Sequence, residues 1–186
     1  MKTPHLTPHE IQQRIWRELG RATQDRHHAW RTPVLATTGA DATPEARTIV
    51  LREADSSLSS LRFYTDSRSP KVSELISQPR ASLVFWSKRL NWQLRARVDM
   101  CVQSAGPQID AVWERVSQSA AAGDYLSTDG PGDPLPVERA APSNTKSPHH
   151  LAILAAQVQQ IDWLELRRGG HRRAWLSVNT WQWRVP

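Results

Sequence analysis

The chemistry-bearing residues of this chain concentrate in Arg47-Thr48-Ile49-Val50-Leu51-Arg52 and, after a short gap, Phe63-Tyr64-Thr65-Asp66-Ser67-Arg68-Ser69-Pro70-Lys71. Both read as β-strands, and the second runs into a helix start. Ser69 stands at the N-cap position and Pro70 at the first helical position, so the outward-pointing amides of that helix carry partial positive charge. Arg68 and Lys71 flank the same end. Backbone amides, hydroxyls and cations gathered at a helix entry are the groups that hold a phosphate through charge-assisted hydrogen bonds. The bland alternative stays open at this point: Arg47 and Arg52 as solvated strand ends, Ser69 as a mere cap. No GxGxxG, P-loop, GxSxG or HExxH pattern occurs.

Other candidates are weaker. Gln93, at the head of a strand, could bond to a planar polar ring or be an exposed edge residue. Trp86, Trp92 and Trp163 could offer stacking faces, but nine tryptophans in a β-rich chain of 186 residues are more often core and interface mass. His171-Arg172-Arg173 follows a Gly169-Gly170 turn and has the character of a solvated hairpin tip. The pairs His27-His28 and His149-His150 are sequence neighbours whose side chains diverge on a strand or helix, which argues against a metal site.

These residues need a scaffold, and the sequence predicts one. Thr7-Pro8-His9-Glu10 combines an N-cap, a first-turn proline and a capping-box glutamate. Ile11, Ile15, Trp16 and Leu19 follow at helical spacing, so an N-terminal helix within residues 1–22 packs on the rest. Short β-like runs occupy 32–38, 43–52, 60–65, 81–87 and 92–103, a spacing that fits a barrel or sandwich. A helix opens at Ser69 and stops at Pro79; a second covers 107–119. Residues 129–148 form a Pro/Gly-rich loop. Apolar residues 151–156, a strand at 158–166 and a closing strand or pair over 173–185 complete the chain. The expectation is one mainly β domain over 1–186, a β-barrel with flanking helices.

Composition narrows the class. The formal charge is +6 from 24 basic and 18 acidic residues, with lysine only at 2, 71, 88 and 146. The arginine bias favours anionic ligands. The charge is modest and forms no basic run, so nucleic acid is not the expected partner. One cysteine, Cys101, excludes an internal disulfide. No apolar run approaches the roughly 20 residues of a membrane span, and no secretory signal is visible, so the expectation is a soluble cytoplasmic protein without a membrane partner.

The residues 47–52, 63–66, 68–71, the strand Ala81-Ser82-Leu83-Val84-Phe85-Trp86 and Gln93-Leu94-Arg95 closely resemble the FMN-binding region of the pyridoxamine 5'-phosphate oxidase-like family. The resemblance is strong over 47–95 and extends more weakly over about 10–185. It implies an FMN-binding split barrel and a homodimer with FMN in two clefts between subunits. Arg47, Thr48, Ile49, Val50, Leu51 and Arg52 would line the flavin, with Arg47 toward its phosphate; Tyr64 and Thr65 would continue the wall. Arg68, Ser69 and Lys71 would bind the phosphate and Gln93 the ring neighbourhood. Gln118 and Ser119 resemble a pair the family uses from the partner subunit, and Trp163 lies one position from a flavin-contacting tryptophan. Arg52, Arg172 and Arg173 would face a small-molecule substrate. One departure falls on the phosphate side, where Pro70 stands in place of the oxidase's arginine and Arg68 could supply the charge. The others fall on the substrate side: Arg52 replaces a lysine, the Tyr-x-x-x-Arg-x-x-x-Ser spacing is missing from 107–125, and Arg172-Arg173-Ala174 lacks the histidine of the family tail. The implied function is an FMN-dependent oxidoreductase of unknown substrate; the alternative is a non-catalytic flavin or haem binding and storage protein.

Overall fold

The computed structural model describes residues 6–57, 59–134, 149–177 and 180–186. Helix α1 spans Pro8–Gln24, and its capping box forms as the sequence requires: Thr7 accepts from the Glu10 amide and the Glu10 carboxylate accepts from the Thr7 amide. Ile11, Ile15, Leu19 and Ala22 are buried along one face, which covers strand β3. The strands are β1 (Val34–Thr38), β2 (Pro44–Thr48), β3 (Leu51–Asp55), β4 (Ser60–Asp66), β5 (Arg80–Ser87), β6 (Trp92–Gln103), β7 (Leu151–Glu165), β8 (Arg172–Ser177) and β9 (Trp181–Arg184). Helix α2 spans Pro70–Ser77 and α3 Pro107–Val116; short 3-10 turns cover Ala29–Arg31 and Ala120–Tyr125. No described helix is long and apolar enough to cross a membrane.

All pairings are antiparallel, and the path runs β2-β1-β5-β6-β7-β4-β3, with β8 on β7 and β9 on β8. The two ends of that path, β2 and β3, are consecutive in the chain. The single strand expected over 43–52 is therefore two. The chain leaves β1 at Thr48, and the Ile49 amide donates to the Pro33 carbonyl at 3.0 Å. It then joins β4 at Leu51. A two-residue link between opposite edges curls the sheet into a barrel, because the edges must lie side by side for so short a segment to join them.

The apolar run 151–156 and the strand expected over 158–166 are likewise one continuous 15-residue strand, β7. Leu154 and Ala156 face the barrel core, while Leu151 and Ile153 sit under α3 and Tyr125. Burial on both sides explains why this stretch is apolar without alternation. A bulge opposite Arg97 and Val98 lets β7 bend. β6 lies between β5 and β7 and alternates buried with half-buried or exposed residues from Trp92 to Cys101. The helix expected over 107–119 stops at Val116, where the chain turns into Ser117–Ser119 before the second 3-10 turn. Of the Pro/Gly-rich loop, 135–148 lie outside the described residues, as do 1–5 of the N-terminal segment.

The core is tryptophan-built. Trp30, Trp92 and Trp163 are each 1% exposed or less. Trp163 meets Trp92 edge-on at 5.2 Å. Beside Trp30, the buried Glu18 carboxylate accepts from His28 Nε2 at 2.9 Å and pairs with Arg89 and Arg21. His28 Nδ1 accepts the Trp30 amide, which fixes its proton on Nε2. This cluster ties α1 to the β5–β6 turn. Burial works against the Glu18 charge, but the His28 hydrogen bond and the two arginines outweigh it and hold the carboxyl below its usual value.

Asp66 and Asp162 are also held low, against burial, by hydrogen bonds from Arg68 and from Arg173 and Arg95. A carboxyl whose folded value is depressed adds stability that is present above its unfolded value and is lost as pH falls through the folded value. Unfolding free energy is therefore expected to fall on acidification below about pH 4. Glu18→Gln should be less stable than the wild type at pH 7 and lose less on acidification. Urea melts from pH 7 to pH 3 test this, and equal acid slopes for the two proteins would contradict it.

Candidate functional site

The corner where β4 enters α2 gathers most of the predicted phosphate residues. Lys71 Nζ lies 3.2 Å from the Thr65 hydroxyl and in closer contact with that of Ser69. Ser69 holds the N-cap position, but its side chain makes no capping bond; its hydroxyl faces Lys71 instead. Arg47, from β2, turns to the same helix: it donates to both Glu74 carboxylate oxygens at 2.9 and 3.2 Å and to the Thr37 hydroxyl. Thr37 in turn donates to Glu74. Arg47 is thus paired with Glu74, while the Lys71 ammonium has only the Thr65 and Ser69 hydroxyls within hydrogen-bond reach among the described residues. Burial, then the nearby Arg47, push the Lys71 ammonium below its ordinary value, with Glu74 and Asp66 only partly compensating. A cation disfavoured in this way is stabilised by an arriving anion, so the residues present fit a phosphate.

Arg68 sits at the edge of this corner, already engaged. Its Nε and Nη2 donate to the two oxygens of Asp66 at 3.1 and 2.7 Å, and its Nη1 to the Thr128 carbonyl at 3.0 Å. Arg52 occupies a bulge: Leu51 faces Phe63 and Glu53 faces Arg62, leaving Arg52 as the extra residue. The bulge re-aims its side chain. The guanidinium lies 5.7 Å from the Tyr64 ring and beside the Tyr125 hydroxyl, and its buried Nε has no hydrogen-bond partner among the described residues. Tyr64 donates to Glu53 at 3.0 Å; burial first, then the Glu53 charge, push its phenol up to about 12. Ile49 and Leu51 point into the core, so any contact they make with a ligand is through their backbone. Thr48, at the end of β2, is exposed, and Val50 is half-buried.

The remaining predicted residues lie elsewhere in the chain. Tyr64 faces Ile153 on β7, whereas Gln93 and Arg173 face Leu164. Eleven residues of strand separate these positions, roughly 35 Å at about 3.3 Å per residue. One chain therefore does not bring Arg52 together with Arg172 and Arg173. Arg172 lies 5.4 and 4.8 Å from the Trp163 and Trp183 rings and donates to the Leu6 carbonyl; Arg173 grips Asp162 at 2.7 and 2.9 Å. Gln93 is half-buried opposite Trp86 on the outer side of the sheet. Gln118 and Ser119 are exposed, and the Ser119 hydroxyl is used locally on Val116 and Ala121. Trp163, which the resemblance left either beside the flavin or in the core, is 0% exposed and packs in the core against Trp92.

Four participants were not anticipated. Glu74 lies three residues beyond Lys71 on the same helix face, a readable spacing. Thr37, Glu53 and Tyr125 come from distant segments, and no local pattern marks them.

The closed antiparallel sheet with its flanking helices defines a split barrel, and comparison with known proteins agrees. Residues 13–104 match the family described as pyridoxamine 5'-phosphate oxidase, FMN-binding domain. A pyridoxine/pyridoxamine 5'-phosphate oxidase of Thermosynechococcus vestitus is 44% identical over 61 residues, which is 33% of this chain and 28% of that protein. The matched stretches span less than half the length of such curated relatives. Among solved structures, a pyridoxamine 5'-phosphate oxidase-related, FMN binding protein of Nostoc punctiforme superposes with a TM-score of 0.74 at 24% identity, covering 98% of this chain and 100% of that one. PhzG of Burkholderia lata, solved with tetrahydrophenazine-1-carboxylic acid, also gives 0.74, at 19% identity and 100% of both chains. These two likenesses establish the fold. The chain belongs to the pyridoxamine 5'-phosphate oxidase-like family.

Lys71→Met should weaken FMN by about 10- to 100-fold, the scale of one charge-assisted hydrogen bond, and leave riboflavin unchanged. Because the folded state disfavours the Lys71 charge, its penalty is present at neutral pH and is relieved as pH rises through the lowered value toward the ordinary one. The variant without FMN should accordingly melt no lower than the wild type at pH 7. Fluorescence titration and thermal melts check both halves; a variant that loses FMN and riboflavin equally would exclude Lys71 from the phosphate site.

Proposed function

We propose that the protein binds FMN, with the phosphate at the Arg47–Lys71 corner, and acts as an FMN-dependent oxidoreductase on a small molecule. The observation that carries this reading is Lys71 at the α2 entry, with only the Thr65 and Ser69 hydroxyls in hydrogen-bond reach among the described residues and its charge disfavoured by burial and by the neighbouring Arg47. A dianionic phosphate supplies the missing charge, and the Ser69 and Thr65 hydroxyls stand beside it. The Ile49 amide is taken by Pro33, but the Ile49 carbonyl and Val50 lie outside both strand ladders and leave backbone where a ring's polar edge can bond. Bound FMN would supply the hydride and electron chemistry, while the protein orients the ring and shields it from water.

The reading includes a homodimer. The separation of Arg52 from Gln93, Arg172 and Arg173 along β7 supports it, because a second copy can place the far end of its own β7 against the first copy's anion corner. The outer face of the sheet carries the half-exposed Trp86 and a groove of about 450 Å³ that includes Ala36, Ser82 and Arg97. Sedimentation should give twice the chain mass when FMN is bound; a monomer carrying flavin would remove the partner's residues from the site.

The substrate is not expected to be pyridoxamine 5'-phosphate. Ser119-Ala120-Ala121-Ala122 offers no second anion site beside the ring. Loss of two charge-assisted contacts costs at least about a thousandfold in binding. A peroxide-coupled assay on FMN-saturated protein should show no turnover of pyridoxamine 5'-phosphate at micromolar concentration. Flavin reduction monitored by visible spectrum with NAD(P)H and a panel of small substrates then tests the oxidoreductase itself, and a flavin that no donor reduces would overturn it.

A further inference from the structure

We propose that Arg68 is a positioning residue that staples the segment 126–134 across the helix-entry corner of the anion site, and is not one of the groups that hold the phosphate. The statement about what the segment covers rests on the phosphate reading above; the staple stands on its own contacts. Arg68 commits three of its donors, two to Asp66 and one to the carbonyl of Thr128, sixty residues further on. Asp66 is 5% exposed, and one of its oxygens also accepts the Arg68 amide, so the base of the staple is fixed in the barrel wall.

The far side is shaped to meet it. A Cβ on Gly130 would lie 3.4 Å from Arg68 Cβ and only 2.9 Å from an Asp133 oxygen. One on Gly132, whose φ of +98° favours glycine, would lie 3.6 Å from Pro70. Asp133 closes the turn by accepting the Gly130 amide at 2.7 Å. The segment therefore rests on Arg68 and Pro70, the two residues that bracket Ser69 and its inward-facing hydroxyl.

Charge separates the two roles. Around Arg68 stand Asp66, Asp129 and Asp133, which raise its already high pKa. A phosphate placed there would meet three carboxylates. Lys71 has only the Thr65 and Ser69 hydroxyls in hydrogen-bond reach among the described residues and stands beside Arg47, so the phosphate is drawn there while Arg68 keeps its partners. Retention of the ligand, rather than recognition of its phosphate, is then what Arg68 contributes.

The test compares Arg68→Lys and Arg68→Ala with Lys71→Met in the full chain. Hydrogen exchange of the peptide covering 126–134 is measured together with FMN and riboflavin affinities and the FMN release rate. Lysine keeps the charge but cannot bridge a carboxylate and a carbonyl with a rigid fork. Both Arg68 variants should therefore speed exchange in 126–134 by about tenfold or more and speed FMN release, with affinity for FMN and riboflavin falling in the same proportion. Lys71→Met should reduce the preference for FMN and leave that exchange unchanged. Restoration of wild-type exchange and FMN release by Arg68→Lys would overturn the staple. So would an Arg68→Ala protein that loses its FMN preference while 126–134 exchanges as in the wild type. If Lys71→Met keeps the full preference for FMN, the phosphate reading fails, and the exchange data still decide whether Arg68 holds the segment.

Discussion

Two residues, Ile49 and Val50, join strands at opposite ends of the sheet path, and the rest of the structure follows from how short that link is. It forces the sheet to close, with α1 covering β3 and α2 set against β1 and β6. The same link separates two cations that are close in sequence. Arg47, before it, turns to the helix α2 and Glu74; Arg52, after it, sits on a bulge beside Tyr64 and Tyr125. One motif in the sequence thus serves two places in the fold.

Charge neutralisation then sorts the arginines. Arg68, Arg173 and Arg95 each meet a partly or fully buried aspartate whose carboxyl is held low, which makes them structural ties of the barrel wall. Arg172 is spread over two tryptophan rings and a backbone carbonyl. Arg47 is likewise paired, with Glu74, whereas Lys71 has only hydroxyl partners among the described residues and is disfavoured where it stands. Cationic residues are plentiful in this chain, but unmet positive charge is local to Lys71, which makes that corner the candidate anion site.

Much of this was legible in the residues. The capping box of α1, the proline-led start of α2 and the alternation of β6 are local signals, and the structure repeats them. Arg47 and Lys71, the two cations proposed to hold the phosphate, could be read as candidates for the same reason. The break at residues 49–50 could not, because Thr48-Ile49-Val50-Leu51 has uniform β propensity and only the long-range partners Pro33 and Phe63 divide it. β7 looked like two pieces because its first half is buried on both faces and its second half is not. Trp163 shows the limit most clearly: the family resemblance left it open between the flavin and the core, and only its packing against Trp92 puts it in the core. The partners that tune the site, Thr37, Glu53 and Tyr125, are contacts between distant segments, which spacing along the chain does not encode.

The central claim is that the unmet charge at the β4–α2 corner receives a phosphate. A crystal structure of the protein grown with FMN measures this most directly. The account predicts phosphate oxygens within hydrogen-bond distance of Lys71 Nζ, the Arg47 guanidinium and the Ser69 or Thr65 hydroxyl, with Arg68 still on Asp66 and Thr128. A flavin phosphate bound away from Arg47 and Lys71, with Lys71 still turned to Ser69 and Arg47 to Glu74, would contradict it.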